Sequence, residues 1–136
     1  MQLSEAFKLS ARLMIATSSH KVIILVSFII ALLSYLVRET AASSLVPLLA
    51  TISGLTIIEY GKQTIKQVFY LMILSGALPK QLNMQKLLYS LAISTPLTLS
   101  TISTEKIELT FLTFLLLEVL AIGLLSYYLR KVKSGL

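Results

Sequence analysis

The sequence predicts an all-α integral membrane protein folded as a four-helix bundle, and three observations lead to that fold class. Of its 136 residues, 56% are hydrophobic and only 13% are charged, whereas a soluble domain usually has about 25% charged residues. The hydrophobic residues gather in long runs. If four runs cross a bilayer, ten of the twelve Lys and Arg residues fall in segments that share one face. We expect one domain over residues 1–136, multi-pass in the cell membrane, with both termini cytoplasmic.

The first two elements are a surface helix over residues 1–20 and a first span over about 21–37. Glu5, Lys8 and Arg12 recur at helical spacing and make one polar stripe on an otherwise apolar segment. A helix of this kind lies in the membrane interface, between the lipid headgroups and the acyl chains. We therefore expect it to lie on the membrane surface before the chain turns inward.

The second span is predicted over about 42–58. Pro47 lies near its start, where a missing N–H is tolerated. Ala50 and Gly54 form a pair of small residues at helical spacing, a pattern that lets two membrane helices approach closely. Thr51 and Ser53 are polar positions in the middle of this span.

A short cytoplasmic or interfacial helix is predicted over about 64–74, between the second and third spans. The apolar stretch 68–78 is only about eleven residues long, and a crossing helix needs about 20. Gly76 and Pro79 then predict a turn. A fifth crossing here would place the two termini on opposite faces and divide the basic residues, so an even number of spans is preferred.

The third and fourth spans, about 84–103 and 107–129, contain the most informative polar residues. Glu118 lies near the middle of the fourth span, where an ionised carboxylate costs about 2.5–3.5 kcal/mol. It is tolerated if it is protonated, hydrogen-bonded inside the bundle or open to a water-filled path. We expect a polar belt with it, either a packing interface or a substrate or proton path, formed by Thr51, Ser53, Ser90, Ser94 and Thr98.

Residue types needed for most enzymatic chemistry are scarce. The chain has no Cys and no Asp, a single His, and no glycine-rich phosphate-binding loop. We therefore predict no catalytic residue, metal site or cofactor, and no enzymatic activity. The net charge of +6 comes from basic residues beside apolar runs, which favours anionic membrane lipid over nucleic acid as the partner.

The segment from Glu59 to Lys86 carries a family resemblance. Type-2 ATP-binding-cassette export permeases have a stretch of the form L-L-x-x-P-[VI]-S-R-x-x-[LI]-x-x-x-K after the short helix between their second and third spans. In the run from Ile73 to Lys86 here, Lys80 falls at the first basic position and Lys86 lies next to the second, while Gly76 and Pro79 lie on either side of the proline position. With the order of elements, this resembles the first part of such a permease.

The resemblance implies export of an unknown substrate, driven by a separate ATPase subunit that docks on helix 64–74. The residues it implicates in docking are Lys66, Phe69, Tyr70, Met72 and Lys80. Family members usually have six spans, so a four-span chain implies a shortened relative or a homo- or hetero-oligomer with other membrane chains. The alternative is a non-transporting accessory or structural subunit of a larger membrane complex, of respiratory or secretion type.

Overall fold

The computed structural model describes residues 3–17 and 19–135, which form α-helices and two short 3₁₀ helices without any strand. The predicted all-α fold class is therefore confirmed. Residues 1, 2 and 18 of the predicted surface helix lie outside the described residues. The α-helices are α1 (Leu3–Ala16), α2 (Ser19–Leu36), α3 (Val46–Tyr60), α4 (Lys62–Leu74), α5 (Pro79–Ser100) and α6 (Ile107–Ser134). The 3₁₀ helices are Ala41–Leu45, before α3, and Thr101–Thr104, after α5.

The predicted turn between α4 and α5 is confirmed, and its residues explain where both helices end. Gly76 has φ +81°, a left-handed conformation that glycine adopts without strain. Its N–H donates to Ile73 O, and the N–H of Ala77 donates to Met72 O, which satisfies the last carbonyls of α4. Pro79 then starts α5, where a missing N–H costs little.

Three helical segments are long and apolar enough to cross a membrane: α2, the segment Ala41–Tyr60 that contains α3, and α6. The predicted third span corresponds to α5. This helix has 22 residues and is long enough to cross a bilayer, but it is not among the three segments that are also apolar enough. It begins at Pro79, about five residues before the predicted boundary, and therefore includes Lys80, Lys86 and several Gln, Ser and Thr residues. These side chains lower its hydropathy below that of the other long helices.

The long helices meet at two common ends. At one end, which we call the basic end, Lys86 Nζ donates to Ser126 Oγ at 3.1 Å and lies within electrostatic reach of Arg130 and Lys133. At the opposite end, Lys106 Nζ donates to Ser43 Oγ at 2.5 Å. The chain therefore reverses between α2 and α3 and again between α5 and α6, both times away from the basic end. The charge pattern in the sequence corresponds to this polarity of the fold.

The core lies along the shared faces of these helices, and the outward faces are apolar. In α2 and α6, only 22% of the most hydrophobic window is buried inside the protein. Large apolar side chains such as Phe28, Leu36 and Val119 remain about two-thirds exposed. An exposed apolar surface on this scale is unfavourable in water but suits contact with lipid chains.

Small residues allow α3 and α6 to approach closely, as the sequence predicts. Ala50 is fully buried, and a Cβ built on Gly54 would lie 2.4 Å from Leu117 Cδ2 of α6 and 3.1 Å from Leu97 Cδ1 of α5. Both distances are shorter than ordinary carbon contacts. Gly54 therefore sets how near α3 lies to its two neighbours.

Candidate functional site

A buried carboxyl group joins α5 to α6. Ser90 and Ser94 are four residues apart on α5 and so project from the same side of the helix. Ser94 Oγ donates to Glu118 Oε1 at 2.6 Å, and Ser90 Oγ lies 3.2 Å from Glu118 Oε2. Both serines are fully buried, and Glu118 is 9% exposed. We call these three residues the carboxyl cluster.

The hydrogens available in the carboxyl cluster permit two arrangements. Ser90 Oγ also lies 2.8 Å from Leu87 O, one turn back along α5. A serine hydroxyl has one hydrogen to donate. Either Ser90 shares it between Leu87 O and an ionised Glu118, or it gives the hydrogen to Leu87 O and accepts one from a neutral Glu118. In both arrangements the two carboxyl oxygens are hydrogen-bonded.

Glu118 forms no salt bridge with any described residue. The ion pair found among the described residues joins Lys62 to Glu59, with 3.0 Å between Lys62 Nζ and Glu59 Oε1. No group of three or more His, Cys, Asp or Glu side chains that could hold a metal ion occurs in the same part of the chain. The carboxyl cluster can therefore act as an interhelical hydrogen-bonded contact. It can also exchange a proton if it is opened to water.

The structure brings together only part of the predicted polar belt. Thr51 is buried, but its hydroxyl donates to Pro47 O at 2.7 Å, and Ser53 donates to Leu49 O at 2.8 Å. These bonds to the preceding turn of the same helix satisfy the hydroxyls locally. Neither hydroxyl is hydrogen-bonded to Glu118, whose side-chain partners among the described residues are Ser90 and Ser94 of α5. Thr98 is buried, as its spacing from Ser94 predicts, and its hydroxyl has no partner among the described residues.

A second cluster joins α3, α4 and α6 at the basic end. The hydroxyl of Tyr128 donates to Glu59 Oε2, whose other carboxylate oxygen accepts from Lys62. Lys66 Nζ of α4 lies 5.5 Å from the centre of the Tyr128 ring, within the range of a cation–π contact. Glu59 and Lys62 are three residues apart, a spacing that favours an ion pair at a helix end, but the sequence does not identify Tyr128 as their partner. Its position three residues after buried Leu125 was a signal for an inward-facing ring.

The short helix α4 does not present all of its predicted docking residues. Phe69 and Met72 are 2% and 6% exposed, because they lie on the face of α4 that packs on the bundle. They belong to the core and are unavailable to a partner, which corrects the prediction for these two residues. Tyr70 is 44% exposed and Lys80 is exposed. Lys66 is partly buried against Tyr128.

Compared with known proteins, the chain matches no family model, no curated protein and no solved structure. Its function therefore has to be argued from the geometry of this fold.

The carboxyl cluster makes a prediction that separates packing from proton transfer. Glu118→Gln keeps both contacts, because the amide oxygen accepts from Ser94 and the amide nitrogen donates to Ser90. We expect its resistance to unfolding in a dodecyl sulfate titration to match the wild type. Glu118→Leu removes both hydrogen bonds, and at roughly 0.6 kcal/mol each in a membrane it should lose about 1 kcal/mol. If Glu118→Gln instead abolishes activity while its stability is unchanged, Glu118 carries a proton.

Proposed function

We propose that this chain is the membrane permease subunit of an ATP-driven exporter and works with a separate ATPase subunit. The observation that carries the proposal is the position and surface of α4. It is 13 residues long, too short to cross a bilayer, and it lies between two longer helices at the basic end. Its outward face is apolar, with exposed Tyr70, Leu71 and Leu74. A helix with such a face can receive a protein partner.

The proposal includes a fourth crossing, made by α5. One end of α5 is tied to α6 by Lys86 and Ser126, and just beyond its other end Thr101 Oγ1 lies 3.2 Å from Thr110 Oγ1. Between these points α5 runs beside α6 through the same depth, and the buried hydroxyl groups of Ser90, Ser94 and Thr98 turn toward the bundle. Basic residues favour the cytoplasmic face, so both termini and α4 are placed in the cytoplasm.

Cysteine labelling tests this topology without background, because the chain has no native cysteine. Single cysteines at Asn83 and Lys133, both exposed, should react with a membrane-impermeant maleimide from the same side. Labelling from opposite sides would contradict the four-span topology.

The cluster at the basic end gives α4 a mechanical connection to the spans. Lys66 lies on the Tyr128 ring of α6, and the hydroxyl of Tyr128 is bonded to Glu59 of α3. A displacement of α4 by a partner would therefore act on α3 and α6 together. Movements of this kind, in which packed helices shift as units, are how binding at one surface reorients a distant site.

Co-purification from native membranes in mild detergent tests for the ATPase. We expect an ATP-hydrolysing subunit to accompany the wild type, as identified by mass spectrometry and phosphate release. Leu71→Glu, at a position 61% exposed on α4, should abolish this association. Tyr60→Glu, 81% exposed at the end of α3, is the matched control and should retain it. Loss of the ATPase in both variants, or in neither, would contradict docking on α4.

A second candidate function is a non-transporting accessory subunit, and the closed carboxyl cluster favours it. Two grooves, of about 460 and 440 Å³, are lined by residues of α1, α4, α5 and the α4–α5 turn and contain neither Glu118 nor Ser94. A substrate path along the carboxyl cluster would require a second membrane chain. An accessory subunit should co-purify with a larger complex that lacks an ATPase, and it should tolerate Leu71→Glu.

A further inference from the structure

Helix α1 lies across the basic end of the bundle. In its first turn, Glu5 lines a groove together with Ala77 and Gln81, at the junction of α4 and α5. Just after its last residue, Thr17 lies against Gly61, where a Cβ would be 2.9 Å from Thr17 Cγ2. Between these points Gln85 Nε2 donates to Ser10 Oγ at 2.9 Å. Since both ends of α1 contact the basic end, α1 crosses it and does not extend along the spans.

Beneath this crossing helix, an apolar groove of about 440 Å³ opens between α1 and α5. Its lining residues come from one flank of α1 and from successive turns of α5; they include Ala11, Met14, Leu88, Leu91, Ala92 and Pro96. Leu88 and Pro96 are eight residues apart, so the groove follows α5 for about 12 Å. It runs away from the basic end, toward the depth of the hydrocarbon. Ser10 and Thr95 also line it, so the wall is mostly apolar, with two hydroxyl groups.

Exposed cationic side chains lie on α1, the helix that forms one wall of the groove, and at the start of α2. Lys8 and Arg12 are exposed on the outer face of α1, one turn before Ala11 and directly after it. Lys21 is exposed in the first turn of α2. Glu5, the acidic residue of α1, lines the groove on the side of α4, so this part of the surface has three cations and one carboxylate. The surface above the groove is therefore complementary to an anionic headgroup.

From these features we infer an anionic phospholipid site, with the phosphate at Lys8 and Arg12 and an acyl chain in the α1–α5 groove. One phospholipid molecule then matches both features, with its headgroup on the basic surface and its acyl chain in the apolar groove. The acyl chain extends from the headgroup in the direction from α1 toward the membrane interior. The site holds whether or not an ATPase docks on α4, because α4 contributes no residue to this groove.

Native mass spectrometry of protein extracted from vesicles of equal parts phosphatidylglycerol and phosphatidylcholine tests the headgroup. We expect the wild type to retain phosphatidylglycerol preferentially. The double variant Lys8→Gln, Arg12→Gln should lower that preference roughly 30-fold, which corresponds to about 1 kcal/mol for each basic residue. The control Lys131→Gln, Lys133→Gln removes two exposed cations at the same end of the molecule, on α6 and outside the groove, and it should retain the preference.

Filling the groove tests the acyl chain. Ala92→Phe should reduce the number of retained lipids of both kinds while helical content by circular dichroism stays unchanged. If that variant loses helical content, Ala11→Leu fills the same groove from an exposed position. Equal retention of the two lipids by the wild type would overturn the site, as would equal loss in both double variants. A full complement of lipid in the filled variants would also overturn it.

Discussion

Phe69→Glu is expected to prevent stable folding, whereas Tyr70→Glu, one residue further along α4, is expected to fold. Phe69 is 2% exposed in the core, and Tyr70 is 44% exposed. Truncating a buried phenylalanine costs about 3–5 kcal/mol, and an unpaired carboxylate in its place adds a desolvation penalty. The total is comparable with the whole stability of many domains, about 5–15 kcal/mol. Tyr70→Glu changes an outward side chain and should cost about 1 kcal/mol or less.

Size-exclusion profiles in detergent and the midpoint of thermal unfolding by circular dichroism measure this difference. Phe69→Leu is a useful third variant, since it removes the ring without adding charge and should show an intermediate loss. If Phe69→Glu and Tyr70→Glu unfold at the same temperature, the packing of α4 on the bundle is wrong. The comparison also decides which substitutions can report on partner binding. Loss of a partner in Phe69→Glu would reflect unfolding, so exposed positions such as Leu71 are the appropriate ones.

The sequence predicts where helices end better than which faces they bury. Gly76 and Pro79 determine the turn after α4 through their own backbone properties, and that turn is confirmed. The orientation of α4 is different, because apolar residues occur on both of its sides. Ile65, Phe69 and Met72 pack inward while Leu71 and Leu74 face outward. Local periodicity gives no preference between two apolar faces, and the choice depends on contacts with α6 and α1.

The candidate site shows the same limit. The spacing of Ser90 and Ser94 predicts a shared face, and the depth of Glu118 predicts a polar partner, so their contact could be anticipated. Their depth in the membrane also suggested Thr51 and Ser53 as neighbours of Glu118. Each of these hydroxyl groups instead donates to a backbone carbonyl oxygen of its own helix. The pairing of Tyr128 with Glu59 joins residues 69 positions apart. It depends on how α4 returns the chain to the bundle, which the sequence pattern does not encode.

Gly54→Leu is expected to separate α3 from α6 and to destabilise the bundle. The new Cβ would lie 2.4 Å from Leu117 Cδ2 and 3.1 Å from Leu97 Cδ1. Leu97 and Leu117 are fully buried, so they have little room to move. Overpacking of this kind costs about 1–3 kcal/mol, and the larger leucine side chain places Gly54→Leu at the upper end of that range.

The same substitution at Gly123 is the matched control. Gly123 lies in α6, is exposed, and has no atom within 4 Å of a built Cβ. Glycine lowers helix stability by about 1 kcal/mol relative to good helix formers, so both substitutions gain the same helix propensity and add the same apolar side chain. The difference between their unfolding midpoints in dodecyl sulfate therefore measures the close approach of α3 alone. We expect Gly123→Leu to match or exceed the wild type and Gly54→Leu to fall below it. Equal midpoints would mean that α3 does not pack against Leu117, and the helix arrangement that positions Glu118 against α5 would have to be revised.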